Sequence, residues 1–300
     1  MHLTACDNAT GWKFPPGRIV LSVAAVMAAV AIDRQTGIFA APEFTGLAVS
    51  AILVFGLPHG ALDIALLRRA GLAGRGRIVI AITTYLAVAA TTFALWTAAP
   101  MLALAGFLVI GIAHFAEDWT ARLGHFFAIG IATALITGPA LVHGETATEL
   151  FEMLGAGTSA ATLVDAMTLV APVGVLVAGV GIFMLHRHGD QREAGATAIS
   201  VLAMIFLTPL AGFVIYFCFL HSPKNYARAR AELGLAGAAV ARRDTVWLSL
   251  AALGMAVAIA MQMDGSTPDE RWLHAGFVTL SVLTVPHMLA GAFAGLRAHR

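Results

Sequence analysis

Long apolar runs, most of them without a polar face, alternate along the chain with short polar breaks. A helix needs about 20 apolar residues to cross the hydrocarbon core of a bilayer. By that measure the candidate spans are residues 17–32, 44–67, 78–99, 101–116, 125–143, 160–185, 196–220, 245–263 and 272–296. The first and fourth are short, and the sixth carries Asp165 and Pro172. The stretch from Glu145 to Thr158 is too polar to span and reads as an interfacial helix. The pattern predicts an all-α fold: a polytopic transmembrane helix bundle of about eight to ten spans. Residues 1–300 form a single integral membrane domain, because no polar stretch is long enough for a soluble one.

Composition sharpens this reading. Only 12% of residues are charged, about half the usual share in soluble domains, so lipid is the solvent that suits this surface. The net charge of +1 implies no nucleic-acid partner. Cys6 lies in the polar N-terminal stretch and Cys218 inside an apolar run, so no disulfide is expected. Asp7, Trp12 and two prolines precede the first apolar run, and no small-residue cleavage site follows it. That run is expected to be a retained first helix.

Loop charge predicts orientation. Arg68, Arg69, Arg75 and Arg77 place the second loop in the cytoplasm, and Lys13 and Arg18 place the N-terminus there too. The acidic loop with Glu145, Glu149 and Glu152 falls outside. Simple counting then puts Lys224, Arg228, Arg230, Arg242 and Arg243 outside, against the rule. A shift of one crossing between His143 and His221 repairs it: either 160–185 does not cross, or 145–185 crosses twice. The membrane expected is a bacterial inner membrane.

Ionisable residues inside spans are expensive and mark functional sites. Four histidines stand out: His59, His114, His221 and His287. With the shifted crossing, all four fall in the inner half of the bilayer. Loop charge and histidine depth therefore ask for the same correction. Neutral imidazole is the commonest metal ligand, and oxygen-activating iron suits imidazoles with an open position. The competing reading is that each histidine bonds a backbone carbonyl or a neighbouring helix. His59 and Asp63, His114 and Asp118, and His221 and Asn225 are each four residues apart, a spacing that shares a helix face. Asp63 and Asp118 are thus candidates to accept the free imidazole N–H of a ligand; Asp63 could equally pair with Arg68 or Arg69. Pro58-His59 and Pro286-His287 place a helix-kinking residue before two of the four.

Taken together, the Pro-His-Gly-Ala-Leu-Asp segment at Pro58–Asp63, the His-Phe-x-x-Asp segment at His114–Asp118, His221-Ser-Pro and the late Pro286-His287 resemble the Brp/Blh family of membrane β-carotene oxygenases. The resemblance covers residues 44–296. It implies an iron-dependent dioxygenase that cleaves β-carotene at its central double bond into two retinals, with Fe(2+) on His59, His114 and His221. Substrate, dioxygen and lipid are the implied partners, with a rhodopsin as a functional link. The family's third motif ends in a second histidine where this chain has Asn225. The remaining ligand is then Asn225, or His287, or the site fails. Phe55, Phe115, Trp119, Tyr216, Phe217 and Tyr226 flank the histidines and are candidate walls of a polyene tunnel, or ordinary helix packing. The alternative function is a non-catalytic carotenoid-binding, transport or rhodopsin-assembly protein. A di-iron desaturase needs clustered histidine boxes that this chain lacks. A retinal-binding opsin needs a mid-helix lysine, and no span contains one.

Overall fold

In the computed structural model the described residues are 28–33, 35–40, 42–72, 74–263 and 266–298; the side chains of Leu57, His59 and residues 40, 42, 43, 235–242, 244 and 294–298 lie outside the description. Helices account for nearly all of the described residues, which contain no strand. Helix α1 (Pro42–Ala51) runs on through a π-helical stretch, Ile52–Gly56. Short helices α2 (Leu57–Gly60) and α3 (Asp63–Leu67) follow. Then come α4 (Arg75–Ala98), α5 (Pro100–Thr137), α6 (Gly144–Phe151), α7 (Ala160–Arg187) and α8 (Gln191–Phe206). Helix α9 (Pro209–Tyr216) continues as a π-helical stretch, Phe217–His221, into α10 (Ser222–Met261), and α11 (Pro268–Ala298) closes the bundle.

Four segments are long and apolar enough to cross a membrane: Arg75–Ala98, Pro100–Leu141, Gly144–Arg187 and Pro268–Phe293. The candidate spans at 78–99, 160–185 and 272–296 correspond to α4, α7 and α11. Most of the first candidate span, 17–32, lies outside the described residues, as do Cys6, Lys13 and Arg18. The span at 44–67 is not one helix but α1, α2 and α3 in series.

The spans at 101–116 and 125–143 are two arms of α5, hinged at Gly124. Gly124 has φ 74°, a region that costs glycine little and other residues more. A straight helix would hold residues 111 and 136 about 37 Å apart; here a Cβ on Gly111 would lie 3.6 Å from the Ile136 side chain. The arms are antiparallel. The second arm packs along α7 through small residues. A Cβ on Gly174 would sit 3.0 Å from the backbone nitrogen of Ala134, and one on Gly130 would overlap Val177 at 2.1 Å. Small residues are what let membrane helices approach this closely, since lipid gives no hydrophobic drive to pair them.

The missing crossing lies in neither of the places expected for it. Residues 160–187 form one unbroken helix. The run at 196–220, read as one span, is a hairpin. Thr208 precedes Pro209 and takes an extended conformation (ψ 146°), as a residue before proline prefers, and Pro209 opens α9 where its missing N–H costs nothing. Gly212 then lies flat against α8: a Cβ there would be 2.8 Å from the Ala203 carbonyl oxygen and the Met204 Cα. Side-chain contacts fix the ends. Ile205, near the tip, faces Gly138 at the end of α5. Glu193, at the base, pairs with Arg122 at 3.1 Å and with Lys224 at 2.5 Å. Arg122, Glu193 and Lys224 therefore share one end of the bundle, and Gly234 approaches Arg69 at that end as well.

This hairpin is testable in full-length protein with Cys6→Ser and Cys218→Ala in the background. Single cysteines at His188→Cys and Ala231→Cys, both exposed positions, should react with a membrane-impermeant maleimide from the same face of the membrane. Labelling from opposite faces would restore a single crossing at 196–220.

Candidate functional site

The π-helical stretch before α10 inserts one extra residue per turn and so turns the face that the next side chains present. It carries His221 into the middle of the bundle, fully buried. Its neighbour Ser222 donates through Oγ to the carbonyl oxygens of Phe55, at 2.5 Å, and Gly56, at 3.5 Å. Those carbonyls belong to the π-helical stretch that precedes Pro58. Ser222 thus ties the start of α10 to the kinked segment that carries His59.

His114 and Asp118 face inward from the first arm of α5, both buried. The Nε2 atoms of His114 and His221 face each other at 3.1 Å. His287, from α11, brings its ring to 5.2 Å from that of His114, nearly perpendicular to it. So the structure gathers three of the four candidate histidines, from α5, α9–α10 and α11. The side chain of His59 lies outside the described residues; its backbone belongs to α2. The adjoining Gly60 borders the site, since a Cβ there would lie 3.6 Å from His287 Nδ1.

Both carboxylates bond a histidine from a distant part of the chain; for Asp118 this replaces the partner expected from spacing, while the expected partner of Asp63, His59, has its side chain outside the described residues. Asp118 does not serve His114 on its own helix. It accepts from His221 Nδ1 at 2.9 Å, from the Tyr216 hydroxyl at 3.1 Å and from Asn225 Nδ2 at 2.9 Å. Asp63 accepts from His287 Nδ1 at 2.7 Å and from the Tyr85 hydroxyl at 3.3 Å. A carboxylate can only accept here, so both histidines hold their proton on Nδ1 and turn the Nε2 lone pair away from it. Asn225 also departs from its expected place as a ligand. Its Nδ2 contacts Asp118 and the His221 carbonyl, and its Oδ1 accepts from Arg228. It lies on the Nδ1 side of His221, away from His114.

Three features of these residues fit a metal ion. Two imidazoles sharing one ion at about 2.1 Å each would separate their nitrogens by roughly 3.0–3.4 Å, and His114 and His221 do so. Ligating histidines give their other N–H to a carboxylate, as His221 and His287 do. His114 and His221 are also buried, while His287 is partly exposed. Among the described residues the donors do not close a group of three around one point; His287 stands one ring further out.

The aromatic residues pack behind the histidines. Phe115 meets His221 edge to face at 4.8 Å, and Phe217 stacks on it at 5.4 Å. Trp119 donates to Thr197 at 2.9 Å and stacks with Tyr216. Tyr226 packs near Leu62 and Leu233, while Phe55 is 59% exposed. None of these six lines the cavity of about 300 Å³ that reaches His287. That cavity lies on the opposite side, between α3, α4, α10 and α11. It has His287, Asp63 and Tyr85 on its wall, with mostly apolar neighbours such as Ile82, Ala252 and Met255. A second cavity of about 390 Å³ shares Leu67, Ala81 and Tyr85 with it. Sequence spacing gave no sign of Tyr85, of the Tyr216 hydroxyl on Asp118, or of Lys224, which donates to the Asp118 carbonyl at 2.8 Å.

The family described as "Beta-carotene 15,15'-dioxygenase" matches residues 50–294, a stretch that contains every histidine and carboxylate of this site. The chain belongs to the β-carotene 15,15'-dioxygenase family. A curated relative, the "Beta-carotene 15,15'-dioxygenase" of an uncultured marine bacterium 66A03, is 29% identical, over 81% of this chain and 90% of that protein. No solved structure matches the chain. The family match begins after the N-terminal segment and ends in α11, so the whole histidine cluster belongs to the shared part of the fold.

Asn225→Ala tests the carboxylate's environment directly. It removes one of three side-chain donors to a buried carboxylate and should cost about 1–3 kcal/mol, read as a lower unfolding temperature in detergent. Asn225→Asp, which sets a second carboxylate against Asp118, should cost more. An unchanged unfolding temperature in Asn225→Ala would show that the amide does not hold Asp118.

Proposed function

We propose that this chain cleaves β-carotene at its central 15,15' double bond with dioxygen, giving two molecules of retinal. The family match supports the reaction. The observation that carries the site is the convergence of His114 and His221, with His221 and His287 each backed by a buried carboxylate. His114 and His221, joined by His287 and His59, would hold iron(II). Bound there, the iron would supply the electrons that activate dioxygen.

The protein's own part is positional. Asp118 and Asp63 fix the tautomers of His221 and His287, so that each ring turns its Nε2 lone pair away from its carboxylate. Tyr216 and Asn225 hold Asp118, and Tyr85 holds Asp63, so neither ring is free to swing. Phe115 and Phe217 close the back of His221 against water. No acid or base is needed beyond this, because the reaction adds both oxygen atoms across a carbon–carbon double bond. The place of Asn225 on the Nδ1 side of His221 removes it as an argument for the alternative reading, a carotenoid binder that has lost its iron. The basic end of the bundle, with Arg69, Arg122 and Lys224, faces the cytoplasm in this reading, in a bacterial inner membrane. The retinal would pass to a retinal-binding partner, a rhodopsin.

Full-length protein purified from β-carotene-producing cells should carry about one iron per chain, the stoichiometry of a single imidazole-held site, and those cells should accumulate retinal. His114→Ala and His221→Ala should each lose most of the iron and the retinal. Asp118→Asn keeps the shape of the site but not the acceptor charge, and should weaken iron retention about 10–100-fold. Full iron occupancy in both histidine variants would refute the ligand assignment.

A further inference from the structure

The cavity beside His287 has a feature that a packing defect would not need: it opens sideways. Leu86 lines it and is 62% exposed. Ala251, on the facing stretch of α10, also lines it and is exposed. Helix α4 packs against α5 and α11 but has little contact with α10. The gap between α4 and α10 therefore leads from the outer apolar surface of the bundle to the cavity. In a membrane, that surface faces lipid acyl chains.

The cavity has four polar side chains on its lining, Asp63, Tyr85, Thr284 and His287, and the Thr284 hydroxyl is bonded to the Leu280 carbonyl of its own helix. Asp63, Tyr85 and His287 stand together, with Tyr85 and His287 each bonded to Asp63. The rest of the lining is mostly aliphatic, from Leu67 and Ile82 to Met255 and Leu283. Gly56 and Gly60 both border the cavity; a Cβ on Gly56 would overlap the Phe217 ring, and one on Gly60 would lie 3.6 Å from His287 Nδ1. The volume falls at the lower end of the range for small-molecule sites. The second cavity adjoins it across Leu67, Ala81 and Tyr85, so an extended ligand passing His287 has room on both sides of that wall.

We infer that β-carotene enters this chamber laterally from the bilayer, between α4 and the Thr245–Met261 stretch of α10, and lies with its polyene chain against His287. The inference rests on the proposed function for the identity of the ligand. A long hydrocarbon is dissolved in the bilayer core, and a side door spares it any passage through water. The chamber offers it dispersion contacts and no hydrogen bonds. Its one chemically distinct wall is the one nearest the histidine cluster. The aromatic residues near His221 form the opposite, solid side of the cluster and act as its backing.

Tryptophan plugs test this. Ala252 is buried on the chamber wall and Leu86 stands at its mouth. Ala252→Trp and Leu86→Trp in the full-length chain should each lower retinal yield in β-carotene-producing cells about tenfold or more, as overfilling a packed cavity does. The β-carotene that co-purifies, read by its visible absorption, should fall in parallel. Iron content should stay at the parent level, which separates loss of the seat from loss of the metal site. Leu102→Trp, on an exposed face of α5 outside the lining, should match the parent. Parent-level pigment and retinal in both chamber plugs would overturn the inference. A parent that binds β-carotene without cleaving it, with binding lost in the plugs, would uphold the chamber and refute the proposed reaction. A parent that neither binds nor cleaves β-carotene would refute both. Leu86→Trp guards against a folding artefact, because its side chain is mostly exposed and a larger one there can be accommodated outside the core.

Discussion

Asp118 is a carboxylate with no exposed side-chain surface in a bundle whose outside is apolar. Leaving such a charge unpaired costs several kcal/mol, and in a membrane the alternatives are fewer still. It is tolerated because three donors from other helices converge on it: Tyr216 from the end of α9, His221 from the π-helical stretch that follows, and Asn225 from α10. Those donors can reach it only if α9 returns to the level of the first arm of α5. The hairpin at Pro209, the π-helical stretch and the start of α10 are therefore all conditions of a single buried charge. Lys224 reinforces them from the rim, bonding the Asp118 carbonyl and Glu193 together.

The sequence made the materials of the site visible but not their pairing. Histidines inside apolar runs stood out, and three of them do meet. The helices α4, α7 and α11 were legible because each is a long apolar run ended by polar residues. Same-helix spacing was the wrong guide for Asp118. A four-residue spacing tells which side chains share a face, yet it does not tell which helix that face meets. Asp63 and Asp118 both serve a histidine from a distant part of the chain, 224 and 103 residues away respectively.

The reading of 196–220 as a single span failed at one dipeptide. Thr208-Pro209 sits in the middle of a continuous apolar run, where hydropathy alone sees a single span. The backbone cannot stay helical through it at low cost: proline removes a donor and pushes the preceding residue into an extended form. Gly212 then supplies the close approach that folds α9 onto α8. Both signals were in the sequence, but an internal proline in a membrane helix reads equally as a kink. Pro172 and Pro286 show this, since α7 and α11 pass through them unbroken. Only the contacts at either end of the hairpin distinguish the two outcomes.

Position 225 shows how one substitution reads differently in sequence and in space. Four residues after His221 on a continuous helix, it appeared to be a ligand position where an asparagine is a poor ligand. The π-helical stretch ends at His221 and α10 begins at Ser222, so the two side chains do share a face. It is Asp118 that they share, and the Asn225 amide spans the carboxylate and the His221 carbonyl. An imidazole there would have to displace one of these contacts or compete with His221 for the same carboxylate. The asparagine is thus matched to the geometry around it, with Arg228 taking its oxygen and Asp118 its amide hydrogen. Among the described residues, a further imidazole beside His114 comes from His287, which the chain supplies with a carboxylate of its own.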